Sequence, residues 1–354
     1  MFLNSSGKCV LVLIRVDAHN AIGSGHFFRC LALSNRIARQ SHELITFMGH
    51  IVAEDLRDRV IEAGFNFQEI PLGTSQEIEL EFVMKSLNNE KSKVIIIDSS
   101  EVDVNYQQKL RKKGFKIIVI DDRPLKRHVA DILISPNLYL NNSHPFANLT
   151  PETTRIFIGP SYFPLRQEFL GEKNWIPPKL EDQIVITSFF GSADPGGQSL
   201  IVAEAAREMR SLPIKFRVLA GAMNSSLSLL QKKYSSLQNL QIFSSQRKMS
   251  DFFLSSTLSI GSMGISAWER CILGIPTIST TQNAGQIEDA LELEKLGGTI
   301  YLGKSDSLRV NKLLTAIDSL MKNTNRLELL SKNSLRVMAN YESDTRVLIE
   351  NILA

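Results

Sequence analysis

Residues 10–33, VLVLIRVDAHNAIGSGHFFRCLAL, decide how the rest of the chain is read. An apolar run through Ile14 ends in Arg15-Val16-Asp17, and a loop then leads to Gly23-Ser24-Gly25-His26. A short apolar run bounded by turn residues reads as a strand buried on both faces. The segment His26–Gln40 has the apolar spacing of an amphipathic helix, so the unit is strand, loop, helix. Glycines let the backbone turn tightly and approach a ligand. The free N–H groups and dipole at a helix start favour an anion such as a phosphate. No third glycine arrives at the dinucleotide-fingerprint spacing, which argues against a nicotinamide enzyme. His26 is the unusual element. At the positive end of a helix a neutral imidazole is expected, and that form can accept a proton as a general base. Taken alone, His26 reads first as a satisfied polar group at a helix start and second as a base. Arg15 and Asp17 fit a local ion pair or the floor of a cleft equally well. Arg29, one turn on, suits either that cleft or solvent.

The same alternation continues along the chain. Strand patterns fall at Cys9–Val16, Leu44–Met48, Lys93–Asp98, Lys116–Asp121 and Asp131–Ser135. A second set falls at Gln183–Phe189, Ile214–Leu219, Leu258–Ile260, Pro276–Ser279 and Thr299–Leu302. Helical patterns such as Ile78–Asn88 and Ser199–Met209 lie between them. Strands that alternate with helices imply parallel sheets covered on both faces. The pattern lapses from Asn141 to Asp182, where six of the twelve prolines fall, so the domain junction is placed there. The expected fold is α/β: two doubly wound Rossmann-like domains facing a cleft, at residues 1–165 and 166–354. Leu308–Ala354 contains neither Gly nor Pro and reads as two or more helices, which are candidates to pack back on the first domain. In such sheets ligands sit at the carboxyl ends of the strands.

A second glycine cluster, SIGSMGISAWERCILGIP at residues 259–276, repeats the logic of the first. A strand enters Gly261-Ser262-Met263-Gly264, and a helix begins near Ile265-Ser266 and stops near Gly274. A lone glutamate on a helix is usually a solvated charge. Glu269, however, follows a phosphate-type loop, where a carboxylate can accept both hydroxyls of a ribose. The turn FFGSADPGG at 189–197, with Gly191 and Ser192, lines the same side. The second domain thus suits a nucleotide diphosphate and the first presents a histidine.

Composition removes several classes. A net charge of +3 over 354 residues gives no footprint for nucleic acid, and Arg111-Lys112-Lys113 is too short to be a basic patch. Cys9, Cys30 and Cys271 form no Cys-x-x-Cys pair, so no zinc site or disulfide framework is suggested. Cys30 and Cys271 read as small packing residues. The run Val10–Ile14 is too short to span a bilayer and no cleavable signal precedes it, so a cytoplasmic protein without membrane insertion is expected.

At this point the residues resemble a known family. Arg15-x-Asp17 with Gly23-x-Gly25-His26-x-x-Arg29-Cys30 is similar to the UDP-2,4-diacetamido-2,4,6-trideoxy-β-L-altropyranose hydrolases of pseudaminic acid biosynthesis. So are Asp121-Asp122 with Asp131-Ile132-Leu133, and Gly159-Pro160-x-Tyr162 with Leu165-Arg166-x-Glu168-Phe169. Ser266-x-Trp268-Glu269-Arg270-Cys271 completes a match running from about residue 13 to about residue 300. The resemblance implies a GT-B, MurG-like fold and cleavage of the anomeric C–O bond with inversion, releasing UDP and free sugar. It implies no metal and no cofactor. His26 would activate water; Arg15, Asp17, Gly23, Gly25, Arg29 and Ser100 would contact the substrate. Gly191, Ser192, Gly261, Ser262, Met263, Gly264, Ile265, Ser266, Glu269 and Gln286 would bind the nucleotide. The expected partner is a UDP-sugar, acted on by a monomer that serves surface-polysaccharide or flagellin glycosylation.

Three departures stand out. Serine at Ser100 replaces the family's aromatic residue two positions after Asp98. Gly285-Gln286 stands for an Asn-Gln pair, with Gln282-Asn283 just upstream. Phe190-Gly191 followed by Ser192-Ala193 replaces a glycine pair. Two other readings keep the nucleotide sugar: a MurG-type glycosyltransferase, and a binding protein without turnover.

Overall fold

The computed structural model describes residues 10–19, 23–41, 43–85, 93–139, 144–171, 174–177, 183–221 and 223–354. Cys9, residues 20–22, residues 86–88 of the expected second helix, and 141–143, 172–173 and 178–182 of the junction lie outside the described residues. Two compact units form, one from Met1–Arg166 with Tyr341–Ala354, the other from Gln167–Asn340. Both are parallel-sheet, Rossmann-like folds.

The N-terminal unit runs β1 (Leu11–Val16), α1 (Gly25–Gln40), β2 (Leu44–Gly49), α2 (Glu54–Glu62), β3 (Asn66–Glu69) and α3 (Gln76–Lys85). It continues with β4 (Lys93–Asp98), α4 (Val104–Lys112), β5 (Lys116–Ile120), β6 (Ile132–Ser135) and β7 (Arg155–Ile158). The sheet order is β3-β2-β1-β4-β5-β6-β7. Period two explains its core. Val12, Ile14, Ile96 and Ile118 enter one cluster, while Leu11, Leu13, Ile95 and Ile117 enter another on the opposite face. Helix α1 covers the first face with Phe27, Cys30, Leu33 and Ile37, which recur at helical spacing and are buried.

The second unit runs β8 (Ile184–Phe189), α5 (Gln198–Glu208), β9 (Ile214–Leu219), α6 (Leu227–Tyr234), β10 (Leu240–Phe243) and α7 (Met249–Leu254). Then come β11 (Leu258–Ser262), α8 (Ile265–Ile272), β12 (Thr277–Thr281), α9 (Ile287–Lys295), β13 (Ile300–Lys304), α10 (Val310–Met321) and α11 (Thr324–Val337). Its sheet order, β10-β9-β8-β11-β12-β13, repeats that of the first unit without the seventh strand. In each sheet the order reverses beside the first strand, between β1 and β4 and between β8 and β11. At such a switch point the two following loops part and leave a crevice.

The chain then returns to the N-terminal unit as α12 (Tyr341–Leu353). Leu348, Ile349 and Ile352 enter the same cluster as β1 and α1. Fully burying side chains of this size stabilises by about 1.5–3 kcal/mol each. The Tyr341 hydroxyl accepts from the Leu165 N–H at 2.8 Å, and Thr345 Oγ1 donates to the Ser161 carbonyl at 3.1 Å.

The sequence pattern misses β3, β7 and β10, and all three are sheet edges. Their residues are mostly half-exposed or exposed, as in Arg155–Ile158, so no unbroken apolar run marks them. The apparent lapse after Asn141 therefore contains a strand.

Candidate functional site

The first switch point gathers an acid, a base and a cation. His26 is the second residue of α1, and Asp98 is the last of β4, so only the parallel pairing of β1 with β4 brings them together. His26 Nδ1 lies 2.7 Å from Asp98 Oδ1. Arg29, one turn along α1, donates to the same carboxylate through Nε at 2.5 Å and Nη2 at 2.6 Å, and through Nη1 to Asp122 Oδ1 at 2.6 Å. Burial alone would raise the Asp98 carboxyl. The charge of Arg29 and the hydrogen bonds from Arg29 and His26 outweigh it and hold the group well below the usual carboxylate range. An ionised carboxylate only accepts, so the Nδ1 contact places the ring proton on Nδ1 although Arg29 Nη2 also lies 2.9 Å from that atom. In the neutral ring Nε2 is then the acceptor, on a side chain that is 35% exposed beside an aspartate that is 1% exposed. This arrangement can take a proton from a bound hydroxyl or water. Cys30 donates to Asp98 Oδ2 at 3.5 Å, and burial, then Asp98, push its thiol well above its usual range. It packs and does not attack.

Arg15 and Asp17 form the support beneath this cluster. Arg15 Nε and Nη2 reach the two oxygens of Glu79, from α3, at 2.6 and 3.1 Å, and Nη1 donates to Asp17 Oδ1 at 2.6 Å. Asp17 also accepts from the His50 N–H at 2.9 Å and the Ser99 hydroxyl at 2.8 Å, and Tyr106 donates to Glu79 at 2.8 Å. One buried network thus ties the ends of β1, β2 and β4 to α3 and α4. Gly49 is part of it by necessity. A Cβ there would sit 1.7 Å from the Val16 carbonyl oxygen, so no side chain fits. Ser100 is exposed, and its carbonyl, with those of Ser99 and Val102, accepts from Lys126 Nζ. Burial lowers the pKa of that lysine. Gly23 and Gly25 lie on the loop and first helical turn beside His26, both half-buried.

The second switch point has two helix starts that differ. At α5, the buried Asp194, held at φ +43°, accepts from the N–H groups of Gln198 at 3.0 Å and Ser199 at 2.8 Å. The protein itself fills that anion position, and burial raises the Asp194 carboxyl despite these bonds. At α8, Gly264 is the N-cap and no side chain caps it. A Cβ on Gly264 would come 3.6 Å from Gln286 Nε2, so that amide reaches across the helix start. Gln286 Oε1 accepts from the Gln282 N–H at 2.9 Å, and Gln282 Nε2 donates to the Phe190 carbonyl, joining the loops after β8 and β12. The Met263 N–H is engaged by the Thr280 carbonyl at 3.0 Å. Glu269 and Ser266 are buried on α8 and Ser262 is buried at the end of β11, while Gly191 and Ser192 are half-buried in the turn after β8. Burial also pushes the Cys271 thiol up to about 12.

Sequence reasoning gave site roles to His26 and Arg29 but none to their shared acceptor Asp98, nor to Asp122, which was only part of a quoted motif; they lie 69 and 93 residues from Arg29. Glu79, Ser99 and Asp194 were missed too. For Asp194 a signal existed: an aspartate four residues before a helix start, followed by Pro-Gly-Gly. Among the described residues no group of three or more histidine, cysteine, aspartate or glutamate side chains is placed to hold a metal ion. No helix among them is long and apolar enough to cross a membrane. A polar groove of about 550 Å³ lies on α3 and α4, lined by Gln76, Glu77, Asp103 and Lys109 among others, and includes no residue of either cluster.

No protein-family model matches the chain. An uncharacterized protein of Methanocaldococcus jannaschii, MJ1062, is 27% identical over 311 residues, covering 85% of this chain. The chain matches 60% of that archaeal protein's length. The UDP-2,4-diacetamido-2,4,6-trideoxy-β-L-altropyranose hydrolase of Campylobacter jejuni is 26% identical over 236 residues, 66% of this chain and 77% of the hydrolase. Among solved structures, MurG of Acinetobacter baumannii superposes with a TM-score of 0.67 at 13% identity, covering 98% of this chain and 99% of its own. The fold is therefore GT-B, of the MurG type.

Proposed function

We propose that the chain processes a UDP-sugar, and that it hydrolyses a UDP-activated diacetamido-trideoxy hexose at the anomeric C–O bond. The products would be UDP and the free sugar, as in nonulosonic (pseudaminic) acid biosynthesis. The observation that carries the reading is the His26–Asp98 pair at the switch point, with Nε2 left as an acceptor. The similarity to the Campylobacter hydrolase supports it.

In this reading His26 Nε2 takes a proton from water as the water oxygen bonds to the anomeric carbon. The bond from that carbon to the β-phosphate oxygen breaks, and its electron pair leaves with UDP. Attack opposite the leaving group inverts the anomeric centre. Asp98 keeps the proton on Nδ1 and stabilises the imidazolium as it forms. Arg29 fixes Asp98, and the Arg15–Glu79–Asp17 network fixes the loop ends. The uncapped start of α8, with the Gly261–Ser266 turn and Gln286, would accept the diphosphate. Glu269 would take the ribose hydroxyls, and the turn at Gly191-Ser192 would close the same side. N–H donors that stabilise the developing negative charge need no strong general acid. Ser100, small where an aromatic residue is expected, would leave the sugar side more open.

The test is UDP release from the diacetamido-altrose nucleotide without acceptor, wild type beside His26→Ala. Release should fall by about 10²–10⁴-fold in the variant while UDP binding survives. Equal release from both would remove His26 from the chemistry. The MurG-type fold favours one alternative, glycosyl transfer, in which the same base would deprotonate an acceptor hydroxyl. UDP release that begins only when an alcohol acceptor is added would establish it. UDP binding without turnover on any sugar would leave a binding protein.

A further inference from the structure

Arg270 is a buried cation without a carboxylate in contact. Its side chain is fully buried on α8, Nη2 donates to the Ser262 carbonyl at 3.0 Å, Nη1 donates to Ser266 Oγ at 3.2 Å, and Nε has no partner. Among the described residues it makes no salt bridge, in contrast to the buried Arg15 and Arg29, which each hold two carboxylates. Phe253 lies beneath it, with the ring centroid 5.7 Å from the guanidinium carbon. Glu269, next in the helix, acts on it only at longer range.

The backbone is laid directly over this group. A Cβ on Gly261 would stand 2.6 Å from Arg270 Nη1, 2.9 Å from Cζ and 2.7 Å from the Phe189 carbonyl oxygen. Both anchors, the Ser262 carbonyl and the Ser266 hydroxyl, belong to the turn that precedes and opens α8. An isolated buried cation is costly, and it persists where something else balances it.

We infer that Arg270 is a positioning residue for the nucleoside diphosphate, a fixed positive charge under the Gly261–Ser266 turn that is balanced when the diphosphate docks above it. This rests on the nucleotide reading of the turn and adds a source of discrimination. The uncapped amides of α8 would orient the phosphates. The charge below would make the site prefer a diphosphate over an uncharged nucleoside. Arg270 itself does not touch the ligand, because the glycine-serine backbone separates them.

The experiment is binding of UDP by calorimetry and of uridine by competition, on wild type, Arg270→Lys and Arg270→Met, with folding followed by circular dichroism. Arg270→Met should weaken UDP roughly tenfold or more and change uridine less than about threefold. Arg270→Lys, which keeps the charge and loses the planar fork, should recover most of the UDP affinity. UDP and uridine falling together in both variants would mean a merely structural residue and overturn the inference. Unchanged UDP affinity in a folded Arg270→Met would do the same. If the Met variant does not fold, the ratio of UDP to uridine affinity in Arg270→Lys and Arg270→Gln decides, because only the Gln variant should lose it. Wild type that binds uridine but not UDP would overturn the nucleotide-diphosphate reading itself, a result distinct from all of these.

Discussion

Replacing Asp98 by asparagine is a small change in shape and a large one in charge. The carboxylate is 1% exposed and receives Arg29 Nε at 2.5 Å, Arg29 Nη2 at 2.6 Å and His26 Nδ1 at 2.7 Å. A carboxamide offers one accepting oxygen, and its NH₂ must face one of these donors. Arg29 then keeps Asp122, a third exposed, as its remaining anion. Breaking a buried pair costs roughly 3–5 kcal/mol, and the surviving carbonyl and Asp122 place this case near the lower end, about 3 kcal/mol. For a unit of this size that corresponds to a Tm lowered by about 6–12 °C. The chemical effect is larger. If the asparagine oxygen stays with Arg29, its NH₂ faces His26 Nδ1, which must become the acceptor. The ring proton then moves to Nε2, where the base should be. Tautomer reversal of this kind costs about 10³–10⁴-fold in turnover. The assay is UDP-sugar turnover with UDP affinity and thermal unfolding measured in parallel. Near-normal UDP binding with turnover down by three orders and a lowered Tm is the expected set. An Asp98→Asn protein that keeps half its turnover would refute the base-orienting role, whatever its stability.

The same group predicts a pH dependence. Asp98's pKa is depressed on folding, so its contribution is complete above the unfolded carboxylate range, about pH 4, and is lost as pH falls below it; wild type should therefore lose stability more steeply than Asp98→Asn in acid unfolding. Arg15→Met strands Glu79 and Asp17 in the buried network, and chemical denaturation should show about 3–5 kcal/mol lost. Tyr341→Phe removes the acceptor of the buried Leu165 N–H and should cost about 1–3 kcal/mol, seen as a lower denaturation midpoint with an unchanged slope.

Much of this architecture was legible because β1, β4 and β5 are buried on both faces and therefore carry nearly continuous apolar runs. The edge strands β3, β7 and β10 were not, since one side of each meets water or a loop and the pattern breaks. The site shows the same division. His26 and Arg29 sit three residues apart on one helix turn, so spacing alone relates them. Asp98 joins them only through strand pairing across 72 residues. Glu79 reads in sequence as one of several acids on a solvated helix, yet it is buried against Arg15 and Tyr106. Which charged residues turn inward depends on what the neighbouring helix offers them, and no local pattern encodes that.

The return of α12 to the N-terminal unit has a consequence for how the chain is made. On a ribosome, strands β1–β7 emerge before the second unit exists, while Leu348, Ile349 and Ile352, which finish the first unit's core, emerge after it. Until then the core cluster they complete stays open to water, and the second unit, continuous in sequence, can fold first. Vectorial synthesis should thus invert the order of the units, and a nascent chain stalled before Tyr341 should present a protease-sensitive N-terminal half joined to a resistant second one.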